Sequence, residues 1–293
     1  MTALSAEAPL ESGRRRGVWR GRIFVGALVF SIAVGFLALG TLFFDVLRKG
    51  VAYVDPVLLT NPPSANPDIA GARPAILATL YLGVLLILFT VPIGVGTAIY
   101  LEEYADRKRW YNRLLELNIQ NLAAVPSIVY GILGLAFLVR GLGLGRVLLA
   151  GALILTLLVL PTVIIAAREA IRAVPSTIRE GAYALGATQW QVISRQVLPA
   201  AIPGIATGSI LALARAIGET APLILIGALT YITFNPTVMG PFTALPVQIY
   251  NWTKLPDEKF KALAAAAIIV LLIMVLLLNA GAIWLRNRYQ KRW

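Results

Sequence analysis

Six apolar runs set the pattern of this chain, separated from one another by polar, charge-bearing stretches. About 20 residues of α-helix cross the hydrocarbon of a bilayer. The runs therefore predict transmembrane helices over 23–46, 75–101, 119–139, 147–168, 201–231 and 262–285. The expected fold is all-α, a polytopic membrane bundle of six transmembrane helices. The first run, Ile23–Phe44, outlasts the ~7–15 apolar residues of a secretory signal. It reads as an uncleaved first span.

Residue types refine this pattern. The loop LLTNPPSANPDIAG, rich in Pro, Asn and Asp, reads as irregular, either an exposed connection or a docking surface. Pro92, Gly94 and Gly96 in span two suit a kink or close packing. EEYADRKRWYNRLLELN mixes both signs of charge and predicts a short interfacial helix, with Trp110 and Tyr111 at headgroup level. In span three, Pro126 frees a carbonyl that Ser127 could satisfy, and with Tyr130 it could line a polar pathway. Segment 233–257 carries four prolines and places Tyr250 and Trp252 at the far interface. Its Asn251-Trp252-Thr253 matches a glycosylation sequon and is discounted, because three-residue matches are common. Span six is apolar all round and reads as facing lipid.

Composition agrees with the hydropathy: 58% of residues are hydrophobic, only 14% are charged, and mean hydropathy is +0.78. A soluble domain carries about 25% charged residues. The net charge of +12 raises the question of nucleic acid, and its placement answers it. Seventeen of the 26 Lys and Arg fall on one side, around Arg14–Arg22, Arg107–Arg113, Arg168–Arg195 and Arg286–Arg292; eight fall on the other, and Arg215 lies inside a span. That asymmetry is a topology signal, placing the basic tails 1–22 and 286–293 in the cytoplasm. Nucleic-acid binding is not needed to explain it. With no Cys and no His, disulfides, thiolate or imidazole metal sites and His-based catalysis are excluded. No metal ligands or catalytic residues are assigned. The turn GLGLGR follows a helix and lacks the G-x-x-x-x-G-K-[ST] order, which occurs nowhere in the chain.

The longest polar excursion, Arg168–Pro199, has its own logic. Thr177 with Glu180, and Thr188 with Gln191, each have capping-box spacing. Gly186 between them suits a left-handed helix end, and Pro199 restricts Leu198 and stops the second helix. Two short helices meeting at a glycine elbow are expected, with Tyr183, Trp190, Ile193 and Val197 supplying apolar contacts. An amphipathic pair of this kind either lies on the membrane surface or inserts into a groove on another protein.

Span five follows at once. Gly204, Gly208, Ala212 and Ala216 form a small-residue stripe that lets a neighbouring helix come close. Arg215 and Glu219 lie one turn apart beside it. An arginine at depth costs about 2.5–3.5 kcal/mol on the insertion scale, so it marks either a pathway or an internal ion pair. A guanidinium presents a planar fork to an oxyanion, Glu219 would keep it from holding the anion too tightly, and Thr220 and Pro222 interrupt the helix there.

These residues carry a resemblance. EGAYALGATQWQVISRQVLP resembles the cytoplasmic loop of binding-protein-dependent ABC importer permeases, E-A-A, three residues, G, nine residues, I-x-L-P. Glu180, Ala182, Gly186, Leu198 and Pro199 fall in register; Gly181 and Gln196 depart from it. PIGVGTAIYLEEYA, NLAAVPSIVYGILGL and ARAIGETAPLILIGA are similar to the phosphate-specific permeases of the PstA type, GETAP favouring that type over PstC. The match covers about 73–285, implying a type I importer permease domain with a coupling loop at 176–199, preceded by a first helix and outer loop at 23–72. It implies an inner-membrane, non-enzymatic subunit translocating inorganic phosphate. Implied partners are a PstC-like second permease, a PstB-like ATPase dimer that binds ATP and Mg, and a periplasmic phosphate-binding protein. It also implies that Arg215 meets phosphate and that the elbow at Gly186, with Trp190, docks on the ATPase.

Three other readings compete. The same fold could carry sulfate or molybdate. An ion-coupled secondary transporter would show inverted repeats, and none is evident. An intramembrane enzyme using Glu219 would need a second catalytic group at depth, and the spans offer no His, Cys or Lys.

Overall fold

The computed structural model describes residues 11–289 apart from 107 and 230. The first ten residues of the predicted N-terminal tail, residues 290–293 of the closing tail, and Arg107 lie outside the described residues. Among the described residues, every regular element is helical.

Helix α1 runs over Glu11–Gly50, α2 over Pro56–Thr60 and α3 over Arg73–Ile99, continued by a π-helical turn, Tyr100–Tyr104. A helix forms where an interfacial one was expected, α4 (Trp110–Ala123); α5 (Ser127–Gly134) passes into a second π-helical turn, Leu135–Gly141. Next come α6 (Leu148–Arg172), α7 (Ser176–Ala184) and α8 (Gln189–Val192). A third π-helical turn, Ile193–Val197, leads into α9 (Leu198–Ile217). The chain closes with α10 (Ala221–Leu225), α11 (Leu245–Thr253) and α12 (Glu258–Tyr289).

Five of the described helices are long and apolar enough to cross a membrane, and one bent pair makes a sixth candidate. Spans one, two, four and six stand where hydropathy puts them, with longer ends. Span three does not run straight over 119–139. Helix α4 and the segment that begins with α5 meet at 106°. Pro126 has no N–H to continue the ladder, and its ring disfavours helical backbone at Val125. Across the bend, the Tyr130 hydroxyl donates to the Leu122 carbonyl at 2.8 Å, satisfying one of the open carbonyls of α4.

Span five is also shorter than the predicted 201–231, ending at Ile217. Pro222 cannot donate back to Gly218, and its ring presses on that carbonyl, so the helix breaks and α10 starts afresh.

The core is organised around α6, the most enclosed span, with α3 and α9 packed against it. Lipid offers no hydrophobic drive between helices, so close approach at small residues holds them together. A Cβ on Gly204 would lie 2.7 Å from the Ala170 Cβ, and one on Gly208 would meet Ala166. Ala212 and Ala216 are buried on the same helix. At the proline-rich end, Gly240 and Val238 carbonyls accept from the Leu148 and Leu149 N–H groups, capping α6. Leu245 N–H donates to the Thr79 hydroxyl of α3 at 2.8 Å. Trp252, expected at the interface, is instead buried beside Phe260, Leu58 and Leu245, because α11 folds inward onto α12. Helix α12 does not face lipid all round: Ala264–Ala267 are buried, between an exposed charged first turn and more open later turns.

Candidate functional site

The elbow forms, with two differences from expectation. Helix α7 begins at Ser176 directly after Pro175, so Thr177 is already inside it and makes no capping box. The second box is present: Thr188 N–H donates to the Gln191 side chain at 2.8 Å, and Gln191 N–H to the Thr188 hydroxyl at 3.4 Å. Between the helices, Gly186 has φ +80°, a conformation that side chains resist. Leu185 at the tip is 90% exposed, and Tyr183, Trp190 and Glu180 also point outward. Ile193 is buried, Val197 turns inward with Val192, Ile171 and Ala98, and Ala182 packs against that cluster.

Pro199 does not stop the helix. Gln189–Ile217 is one continuous span of 29 residues. Leu198 N–H bonds to the Ile193 carbonyl, five residues back. The wider turn makes room for a proline that lacks an N–H and would crowd the carbonyl four residues back. The elbow and span five are thus one rod from α8 onward, with Leu198 and Pro199 inside it.

At the far end of that rod lie Arg215 and Glu219. The Arg215 Nε stands 3.8 Å from the Glu219 Oε1, a loose contact; the arginine side chain is 76% exposed and the glutamate 18%. Ile217 packs beside Gly83, ten residues into α3, which puts the pair ~15 Å along that helix. Leu211, one turn earlier, is open on the same side. Thr220 sits in the break, its hydroxyl 3.5 Å from the Gly218 carbonyl.

A second charged group occupies the basic end of the bundle. Arg168 of α6, 7% exposed, donates to Glu102 at 2.9 Å and to Glu116 of α4 at 2.7 Å. Arg172 also reaches Glu102, at 2.8 Å. Arg179 of α7 donates to Glu103 through Nε at 3.2 Å and Nη2 at 2.9 Å, and to the Val174 and Ile171 carbonyls. Nearby, Arg109 donates to the Tyr111 hydroxyl, which holds its guanidinium above the ordinary value.

This arrangement is a helix bundle with a protruding elbow. A family model described as binding-protein-dependent transport system inner membrane component matches residues 90–293. The chain belongs to this family. It is an inner-membrane permease of the ABC importer class. Among curated relatives, the probable ABC transporter permease protein YqgI of Bacillus subtilis is 32% identical over 281 residues, 91% of this chain and 92% of that one. The phosphate transport system permease protein PstA of Yersinia pestis is 34% identical over 277 residues, 92% of each chain. A solved bacterial alginate ABC transporter, in complex with a pentasaccharide-bound periplasmic protein, superposes with TM-score 0.67 at 18% identity, over 94% of this chain and 98% of that one. The last likeness is one of fold.

Within the permease, Ala182 of the elbow and Leu198 at the base of span five pack against one cluster, while Glu180, Gly186 and Trp190 stay exposed and Pro199 lies inside the rod. The fold keeps Arg215, Glu219 and Thr220 together at the other end of the same rod. The buried ion-pair group escaped sequence reasoning. Its signal was present: Glu102 and Glu103 end span two, while Arg168 and Arg172, one turn apart, end span four on the same side.

Proposed function

We propose that this permease passes inorganic phosphate across the inner membrane, with its basic end and both termini in the cytoplasm. The observation that carries the reading is Arg215. A guanidinium lies open in span five, touched only loosely by Glu219, in a chain similar over most of its length to a phosphate permease. An exposed arginine inside a membrane is costly unless water, cargo or a partner covers it. Its fork suits two oxygens of a tetrahedral anion. Glu219 competes with that anion and keeps it from being trapped, and the Thr220 hydroxyl offers a neutral contact beside the helix break.

A PstC-like permease would complete the pathway, and a periplasmic phosphate-binding protein would deliver the cargo. A PstB-like ATPase dimer, binding ATP and Mg, would grip the elbow at Glu180, Gly186 and Trp190. This chain itself requires no cofactor in the scheme. The test is uptake of labelled phosphate by the reconstituted importer. Arg215→Gln is expected to lower uptake by ~10–100-fold or more while every subunit still co-purifies; normal uptake would sink the assignment. Sulfate or molybdate competing as well as unlabelled phosphate would overturn the choice of anion.

A further inference from the structure

We propose that Glu103 is the clamp through which displacement of the elbow reaches spans two and four, a positioning role separate from any contact with cargo. The inference rests on the elbow docking an ATPase. The elbow has two arms on either side of Gly186. The arm formed by α8 is continuous with α9, so its motion passes directly along span five. The arm formed by α7 has no buried residue of its own. Besides the apolar contact of Ala182, its polar tie to the bundle is Arg179, whose fork grips the Glu103 carboxylate and whose remaining donors hold the Val174 and Ile171 carbonyls.

Glu103 also holds the other arm: its backbone carbonyl accepts from the Gln189 side chain at 2.6 Å. One residue therefore gathers both arms. Its carboxylate is 8% exposed, which favours a fixed contact over a solvent-exchanging one. Next to it, Glu102 takes Arg168 and Arg172 of α6. Both glutamates stand on the π-helical turn Tyr100–Tyr104, closed by Ala105 N–H to the Tyr100 carbonyl at 2.8 Å. The turn aims Glu102 at span four and Glu103 at the elbow while both stay fixed to α3. From there α3 runs to Gly83, beside Ile217 and two residues from Arg215. A rotation about Gly186 thus enters the bundle by two routes, along α9 and through Glu103 into α3 and α6.

The complete importer in vesicles, with ATP and labelled inorganic phosphate, tests this. Arg179→Ala and Glu103→Gln are each expected to lower phosphate moved per ATP hydrolysed by at least about fivefold, a modest coupling loss. ATPase retained by the complex stays at the unsubstituted level, and the reversed pair Glu103→Arg with Arg179→Glu restores most of the ratio. An unchanged ratio in both single variants, or loss of ATPase from all three, overturns the clamp.

A cargo-independent readout separates this from the phosphate assignment. The chain has no cysteine, so Leu185→Cys on the tip and Val84→Cys on α3 can carry a pair of spin labels. On binding a non-hydrolysable nucleotide, their separation is expected to hold in the otherwise unsubstituted chain and to change when Arg179→Ala is added. Identical behaviour in both backgrounds refutes the proposal, whatever anion is carried.

Discussion

The two groups of intramembrane and membrane-edge charge in this permease use the same residue types in opposite ways. At the basic end, Arg168 is enclosed and makes contacts of 2.9 and 2.7 Å to two glutamates on different elements. In span five, Arg215 is open and stands 3.8 Å from a glutamate one turn away on its own chain segment. A guanidinium with one short hydrogen bond to each of two partners on other elements is locked, and its charge is spent on the fold. One with a single distant local partner keeps its donors for something that arrives. Burial and pairing, not residue identity, separate a joint from a binding group.

The contrast can be broken from either side. The largest effect on stability is expected at the joint. Arg168→Ala would take a charged donor from the buried Glu102, which keeps Arg172, and from Glu116, and the two lost charged hydrogen bonds should cost at least about 3 kcal/mol, read as a lowered unfolding midpoint of the detergent-solubilised subunit. A midpoint near that of the unsubstituted chain would mean the network is ornamental. Arg215→Gln should do the reverse, shifting stability by less than about 1 kcal/mol as for exposed pairs. Its phosphate uptake should fall by ~10–100-fold or more, the worth of charged hydrogen bonds. Arg215→Lys should retain part of that uptake, since a point charge replaces the fork.

Smaller effects test the surfaces between the two charged groups. Gly208→Val would drive its side chain into Ala166 and cost about 1–3 kcal/mol through overpacking. Gly96→Ala, where a Cβ meets nothing within 4 Å, should be neutral or stabilising by up to about 1 kcal/mol. Equal costs at the two glycines would show that α6 and α9 do not meet along this stripe. The smallest difference concerns the elbow. Thr188→Ala should weaken it by about 1 kcal/mol, whereas Thr177→Ala should change nothing measurable. Hydrogen exchange over 186–197 would compare the two variants directly.

Much of the bundle was legible in sequence because a membrane imposes a simple rule. Backbone groups in hydrocarbon must pair within their own segment, so length and apolarity nearly suffice to find a span. Spans one, two, four and six obey it. The proline signals were visible too, but their outcomes were not. Pro126 bends its span by 106°, while Pro199 is absorbed without a break. The difference lies in the turn before each, α-helical and ending at Ala123 in one case, widened to a π-helical turn in the other. Local propensity does not distinguish them, because the wider turn is held by Val192 and Val197 packing against α3 and α6.

The chain's own order determined the spans, the left-handed glycine, the Thr188–Gln191 cap and the one arginine at depth, each a property of neighbours in sequence. Only the tertiary structure decided that Trp252 is buried, that α12 is half enclosed, and that Glu102 and Glu103 meet arginines up to 76 residues away. Those pairings depend on which helix ends converge at one end of the bundle. Convergence is set by the summed packing of α3, α6 and α9, and no local pattern carries it.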